Sequence, residues 1–119
     1  FSLADLVVVP YAYGEFPWGK GIPRLLQAAM WEVPSIYSPI ASAKRFLREA
    51  GYGVAIVRDN SPEGWLRAIR TLLDCPETRA AMGKLAKRAA MARYGEDLQV
   101  GKLADFFRLL VRVTAPGRR

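Results

Sequence analysis

The sequence contains no histidine and a single cysteine, Cys75, in 119 residues. A zinc site of the usual Cys/His type is thereby excluded. So is any Ser-His or Cys-His nucleophile within this chain. One cysteine cannot close an internal disulfide, which fits a reducing, cytoplasmic compartment. Long hydrophobic runs are also missing: none reaches the ~18 to 20 residues that span a bilayer. The opening residues, Phe1 to Asp5, have neither an initiator methionine nor the basic n-region of a signal peptide, and they lead directly into a strand. The expectation is a sequence that begins in the middle of something larger.

What is present is ordinary for a globular domain: 51% hydrophobic and 24% charged residues, in a length sufficient for one modest domain. The net charge of +7 is unevenly spread. Residues 1–60 carry six basic and five acidic side chains, whereas residues 61–119 carry twelve and six. A basic half invites nucleic acid or an anionic membrane surface, and the plain alternative is a solvated helix surface. Arg79, Lys84, Lys87, Arg88 and Arg93 form a stretch with no acid between its ends. They are the candidate contact with anionic lipid. Nucleic acid is argued against by the absence of a recognised binding motif and by dispersed aromatics.

The apolar run DLVVVP (residues 5–10), ended by Pro10, suits a strand buried on both faces of a parallel sheet. A Gly- and Pro-punctuated loop follows over residues 11–19. The spacing of Leu25, Leu26, Ala29, Met30 and Val33 predicts a helix from about Lys20 to Glu32, with Pro23 in its first turn. VPSIYS (33–38) reads as a second strand. Ser42 reads as the N-cap of a short helix with Phe46 and Leu47 inward, stopped by Gly51 and Gly53. GVAIV (53–57) is the third strand. Ser61-Pro62-Glu63 combines a cap, a Pro at N1 and an acid in the first turn, and so starts a helix to about Leu73. Pro76-Glu77 starts another, to about Gly95. Asp97 is the candidate cap of a last helix with Leu98, Leu103, Phe106, Phe107 and Leu110 inward. Trp31 and Trp65 are read as packing residues. The alternation implies a partial doubly wound, Rossmann-like parallel α/β sheet of three or so strands with flanking helices. Further strands are expected before Phe1, because a parallel sheet needs neighbours and two covered faces. Residues 1–113 form that partial domain, and 114–119 a frayed basic tail.

The order strand, Gly-rich basic loop, helix, strand places Gly19, Lys20, Gly21 and Arg24 at the carboxyl edge of the sheet. Open α/β sheets bind ligands there, and helix N-termini attract phosphate. Free N–H groups at Gly19 and Gly21, with the ammonium of Lys20, suit negative charge developing on a leaving phosphate.

The stretch KGIPRLLQAAMWEVPSIYSPIA (Lys20 to Ala41) resembles the donor-binding motif of retaining, GT-B-fold glycosyltransferases of family 4. Their common motif carries two glutamates, the second opening EAMAxGxPVI. Counted back from Pro34, the second position is Gln27 and the first is Gly19. A variant wording, GKxxxKxLQYMAxGxPVVASPVG, is matched better, through Gly19, Lys20, Arg24, Leu26, Gln27, Pro34, Ser38 and Pro39. Downstream, Gly51 to Val54 resembles the family's turn into its next strand. Trp65, Ile69, Leu72 and Leu73 with PETRAAMG resemble its WxxALxxLLxDPxLRxxMG string, and Tyr94-Gly95 stands where the family has YS. The resemblance runs from Ala4 to about Leu110.

It implies the C-terminal, nucleotide-sugar-binding half of a GT-B enzyme, transferring a hexosyl group from a nucleoside-diphosphate sugar to a saccharide or lipid-linked acceptor, with no metal cofactor. Gln27 takes the ribose-holding role, since an amide both accepts and donates. Gly19 supplies no carboxylate, and Glu15, four residues earlier, is the candidate catalytic substitute. The family's diphosphate-gripping Arg and Lys and its acceptor domain fall before Phe1, so this chain alone is expected to be inactive. A cytoplasmic location, peripheral at the membrane, follows from the same resemblance. The alternative is a non-catalytic Rossmann-like remnant that binds a nucleotide or a protein.

Overall fold

The computed structural model describes residues 3–12, 20–51 and 53–114. Three short parallel strands, β1 (Val7–Val9), β2 (Ser35–Tyr37) and β3 (Val54–Ile56), lie in the order β1-β2-β3. Val7, Ser35 and Val54 are in register, as are Val8, Ile36 and Ala55, and then Val9, Tyr37 and Ile56. The strands are linked by helices α1 (Pro23–Met30) and α2 (Ala41–Ala50), and followed by α3 (Pro62–Leu73), α4 (Pro76–Tyr94) and α5 (Glu96–Thr114).

The period-2 alternation of strand side chains sorts the core into two faces. Val9, Tyr37 and Val54 join Leu25 of α1 and Ala43 and Phe46 of α2 on one side. Ile36 and Val57 join Leu72 of α3 on the other, with Trp65, Ile69 and Met82 against them. Helices therefore cover both faces, and the fold is a partial doubly wound, Rossmann-like α/β unit. The second face is open over β1, where Val8 is 44% exposed.

Helix α4 binds the layers together. Its Ala86 and Ala90 pack on Ala29 of α1, small residues that let two backbones approach closely. Gly83 is the extreme case: a Cβ there would collide with the Glu32 carbonyl oxygen at the end of α1. Glu32 turns the chain out of α1 with φ +58°, and Lys87 of α4 holds its carboxylate at 3.0 Å. Gly51 and Gly53, both at positive φ, make the turn from α2 into β3 as expected.

Several expectations need correction. Helix α1 begins at Pro23 with Ile22 in the cap position, so Lys20 and Gly21 precede it rather than lying in its first turn. The ring of Pro23 pre-sets φ for a first helical residue, whereas Gly21 favours none. Ile40, not Ser42, precedes α2, with no side-chain cap; the Ser42 hydroxyl donates to the Lys20 carbonyl instead, at 2.7 Å. Ser61 does cap α3, its Oγ accepting from the Gly64 N–H at 3.0 Å. Trp31 is 62% exposed, because α1 stops at Met30 and position 31 leaves the helical stripe. Leu98, Leu103, Phe106, Phe107 and Leu110 of α5 are not inward: none of the described residues of α5 is buried. One residue, Gly95, separates α4 from α5, too short a link for the second helix to fold back on the first. The radius of gyration is accordingly 18.0 Å, against roughly 13.5 Å for a compact domain of this length.

Candidate functional site at the carboxyl edge of the sheet

The carboxyl ends of the three strands are stitched together by one polar network. Ser38, just past β2 and buried, accepts from the Tyr11 backbone N–H at 2.8 Å. Its hydroxyl proton has two acceptors in range, Asn60 Oδ1 at 2.6 Å and the Tyr11 carbonyl at 3.3 Å. The shorter bond takes the proton, and the Tyr11 carbonyl is supplied by Asn60 Nδ2 at 2.8 Å. Trp65 Nε1 completes the set by donating to Asn60 Oδ1 at 3.1 Å. Asn60 stands at φ +50°, a conformation that asparagine tolerates better than most residues. Removing one buried partner from such a network costs about 1–3 kcal/mol, so the edge is held rigid from β1 through β3.

Lys20 lies directly above this edge. Its Nζ sits 5.9 Å from the centre of the Tyr11 ring, within range of a cation–π interaction. Its carbonyl is tied to Ser42. Beneath it, Tyr37 is fully enclosed, and burial pushes its hydroxyl up to about 12. The Leu25 backbone N–H, which hydrogen-bonds to it, acts in the opposite direction; Tyr11 adds to the rise and the Arg24 charge opposes it. The phenol thus stays neutral and engages the first turn of α1, next to Arg24. Arg24 itself is exposed and forms no ion pair with the other described residues.

Lys20, Gly21 and Arg24 are therefore brought together at the start of α1, all solvent-accessible. Gln27 is one turn further on and opens into a different groove of about 380 Å³, between α1 and the end of α4. Leu26, Met30, Met91 and Tyr94 line it, and Glu96 at the start of α5 shares it. Glu15 and Gly19 lie outside the described residues. The five basic positions from Arg79 to Arg93 do not make one face. Arg79 donates to the Leu72 and Leu73 carbonyls at the end of α3, Lys87 pairs with Glu32, and Arg93 with Glu49 at 3.4 Å. Among the described residues there is no group of three or more His, Cys, Asp or Glu placed to hold a metal, and no helix long and apolar enough to cross a membrane.

Sequence reasoning missed Tyr11, Tyr37 and Asn60. Asn60 carried a weak signal, an asparagine just after a strand and before a capped helix. Tyr37 carried none, because an aromatic in a buried strand reads as core.

The fold and this edge define a partial Rossmann-like α/β unit with a cationic approach to its first crossover helix. Over 97 residues, 76% of this chain, the sequence is 31% identical to the D-inositol 3-phosphate glycosyltransferase of Kineococcus radiotolerans. The chain spans about a fifth (21%) of that relative's length. No family model matches the chain, and no solved structure matches it.

Proposed function

We propose that this chain is part of the donor-binding half of a GT-B-fold glycosyltransferase of the retaining family 4 kind, and that the carboxyl edge holds a nucleoside-diphosphate sugar. The observation that carries the reading is the grouping of Lys20 and Arg24 around the start of α1, above a sheet edge locked by Ser38 and Asn60. The similarity to a glycosyltransferase supports it. In this reading β1 is an internal strand of a larger sheet, which accounts for the uncovered Val8.

Loss of a nucleoside diphosphate builds negative charge on the leaving phosphate, and cations placed beforehand stabilise it without reorganisation at the moment of reaction. Lys20, tethered through its carbonyl and resting on Tyr11, is held close to its working position. Arg24 offers a planar fork of donors to phosphate oxygens. Gly21 lets backbone approach the ligand closely. Gln27 holds the ribose, accepting from one hydroxyl and donating to another, with the Glu96 carboxylate in the same groove as a second acceptor. Glu15 is the candidate group near the donor sugar. The acceptor is a saccharide or a lipid-linked saccharide, bound by a separate domain, and the location is cytoplasmic and peripheral to a membrane. A second reading, a non-catalytic nucleotide- or protein-binding unit, is favoured by one observation: Gln27 is neutral where the common motif places a carboxylate.

Titration of nucleoside diphosphates and their sugar conjugates, followed by amide NMR, tests the first reading. Lys20→Ala should weaken binding roughly tenfold or more, as expected for loss of a charge-assisted contact. Gln27→Glu should preserve or tighten it. Affinity unchanged by Lys20→Ala would remove Lys20 from the site, and a large loss in Gln27→Glu would remove the ribose assignment.

A further inference from the structure

A second cavity, of about 370 Å³, lies away from the start of α1, between α2 and the open side of β3. It is lined by Pro39, Lys44, Leu47, Arg48, Ile56 and Arg58. Lys44 and Arg48 are one helical turn apart and so present their charges on one face. Arg58, two residues past the end of β3, lines the cavity with them. Among the described residues, three cations and no carboxylate share this lining.

The nearby acids are directed elsewhere. Glu49, next to Arg48 in sequence, pairs with Arg93 of α4 at 3.4 Å. Asp59, next to Arg58, accepts from the Ser61 hydroxyl at 2.9 Å and stands 3.6 Å from Arg67. Neither Arg48 nor Arg58 forms an ion pair or side-chain hydrogen bond with the other described residues. Two guanidinium charges on one concave surface, Arg48 and Arg58, repel each other unless an anion sits between them. The floor, in contrast, is apolar: Leu47, Ile56 and Pro39.

We propose that this cavity binds a phosphomonoester. The two guanidinium forks of Arg48 and Arg58 match the terminal oxygens of a phosphate dianion, and the apolar floor takes the short organic body attached to it. The volume is at the low end for ligand pockets, which suits a phosphate carrying one small organic group. The proposal does not depend on the donor reading, because it shares no residue with the start of α1. A soluble phosphate ester and a lipid phosphate headgroup offer the same chemistry.

The test uses the whole chain, labelled for amide NMR, titrated with glucose 6-phosphate and separately with inorganic phosphate. Co-sedimentation with phosphatidylcholine vesicles, with and without phosphatidic acid, is the lipid arm. The expected result is saturable shifts at residues 44–48 and 56–58, or binding specific to phosphatidic acid, weakened roughly tenfold by Arg58→Gln and by Arg48→Gln. Lys84→Gln, an exposed charge on α4, should leave it unchanged. Saturation by glucose 6-phosphate assigns a soluble ligand, and binding only to phosphatidic acid assigns a headgroup. Absence of both overturns the proposal, as does an equal loss in Lys84→Gln, which would reduce the effect to net charge.

Discussion

Helices α4 and α5 are each 19 residues long and are joined through a single glycine, yet their surroundings are opposite. Helix α4 is poor in large apolar side chains and buries Gly83, Ala86 and Ala90 against the body of the protein. Helix α5 carries nine large apolar side chains, from Leu98 to Val113, each at least 40% exposed. Apolar content therefore does not decide which helix is inside. Close approach does: the small residues of α4 let its backbone reach Ala29 and the Glu32 carbonyl, and the short link at Gly95 carries α5, beyond its first turns, away from the described body of the protein. Apolar area stabilises only where something removes it from water.

The contrast can be broken first at the aromatics. Phe46 is enclosed between α2, the sheet and Tyr94 of α4, whose ring centre is 6.3 Å away. Phe46→Ala should cost about 3–5 kcal/mol in urea unfolding, whereas Phe106→Ala on α5 should stay within about 0.5 kcal/mol. A large loss in Phe106→Ala would mean that α5 is covered in solution. The two helix glycines sharpen the point. Gly83→Ala forces a Cβ into the Glu32 carbonyl and should cost about 1–3 kcal/mol; Gly101→Ala on α5 meets open space and should gain up to about 1 kcal/mol. Equal effects would contradict the close approach.

A pH-dependent effect is expected at Tyr37. Its folded hydroxyl titrates near 12, above the usual value near 10, so the native state keeps a proton that the unfolded state loses. The stabilisation is complete below about pH 10 and declines as pH rises from 10 through 12. Urea midpoints of wild type should fall over that window more steeply than those of Tyr37→Phe. Parallel curves would mean that Tyr37 is not enclosed.

How far the sequence carried the reading depends on the range of the interactions. The three strand segments, the two glycines after α2 and the Ser61 cap rest on neighbours within a few residues, and all were legible. The start of α1 was misplaced by three positions because Lys20 and Gly21 carry no capping chemistry that separates loop from first turn. Glu32 occupies the place where the resembled motif has glycine, and its φ of +58° explains why: the turn demands a left-handed residue. The edge network was not legible, since it joins residues 27 and 49 apart in the chain. Nor was the exposure of α5, since periodicity marks an apolar face without saying what covers it. The same distance problem hid Arg58 from Lys44 and Arg48.

A map of amide shifts on adding a nucleoside-diphosphate sugar to the whole chain tests whether the carboxyl edge binds the donor. Changes are expected to centre on Tyr11, on residues 20–27 and on Ser38, and to be lost in Lys20→Ala. Changes confined to α5, or none at millimolar ligand, would contradict it.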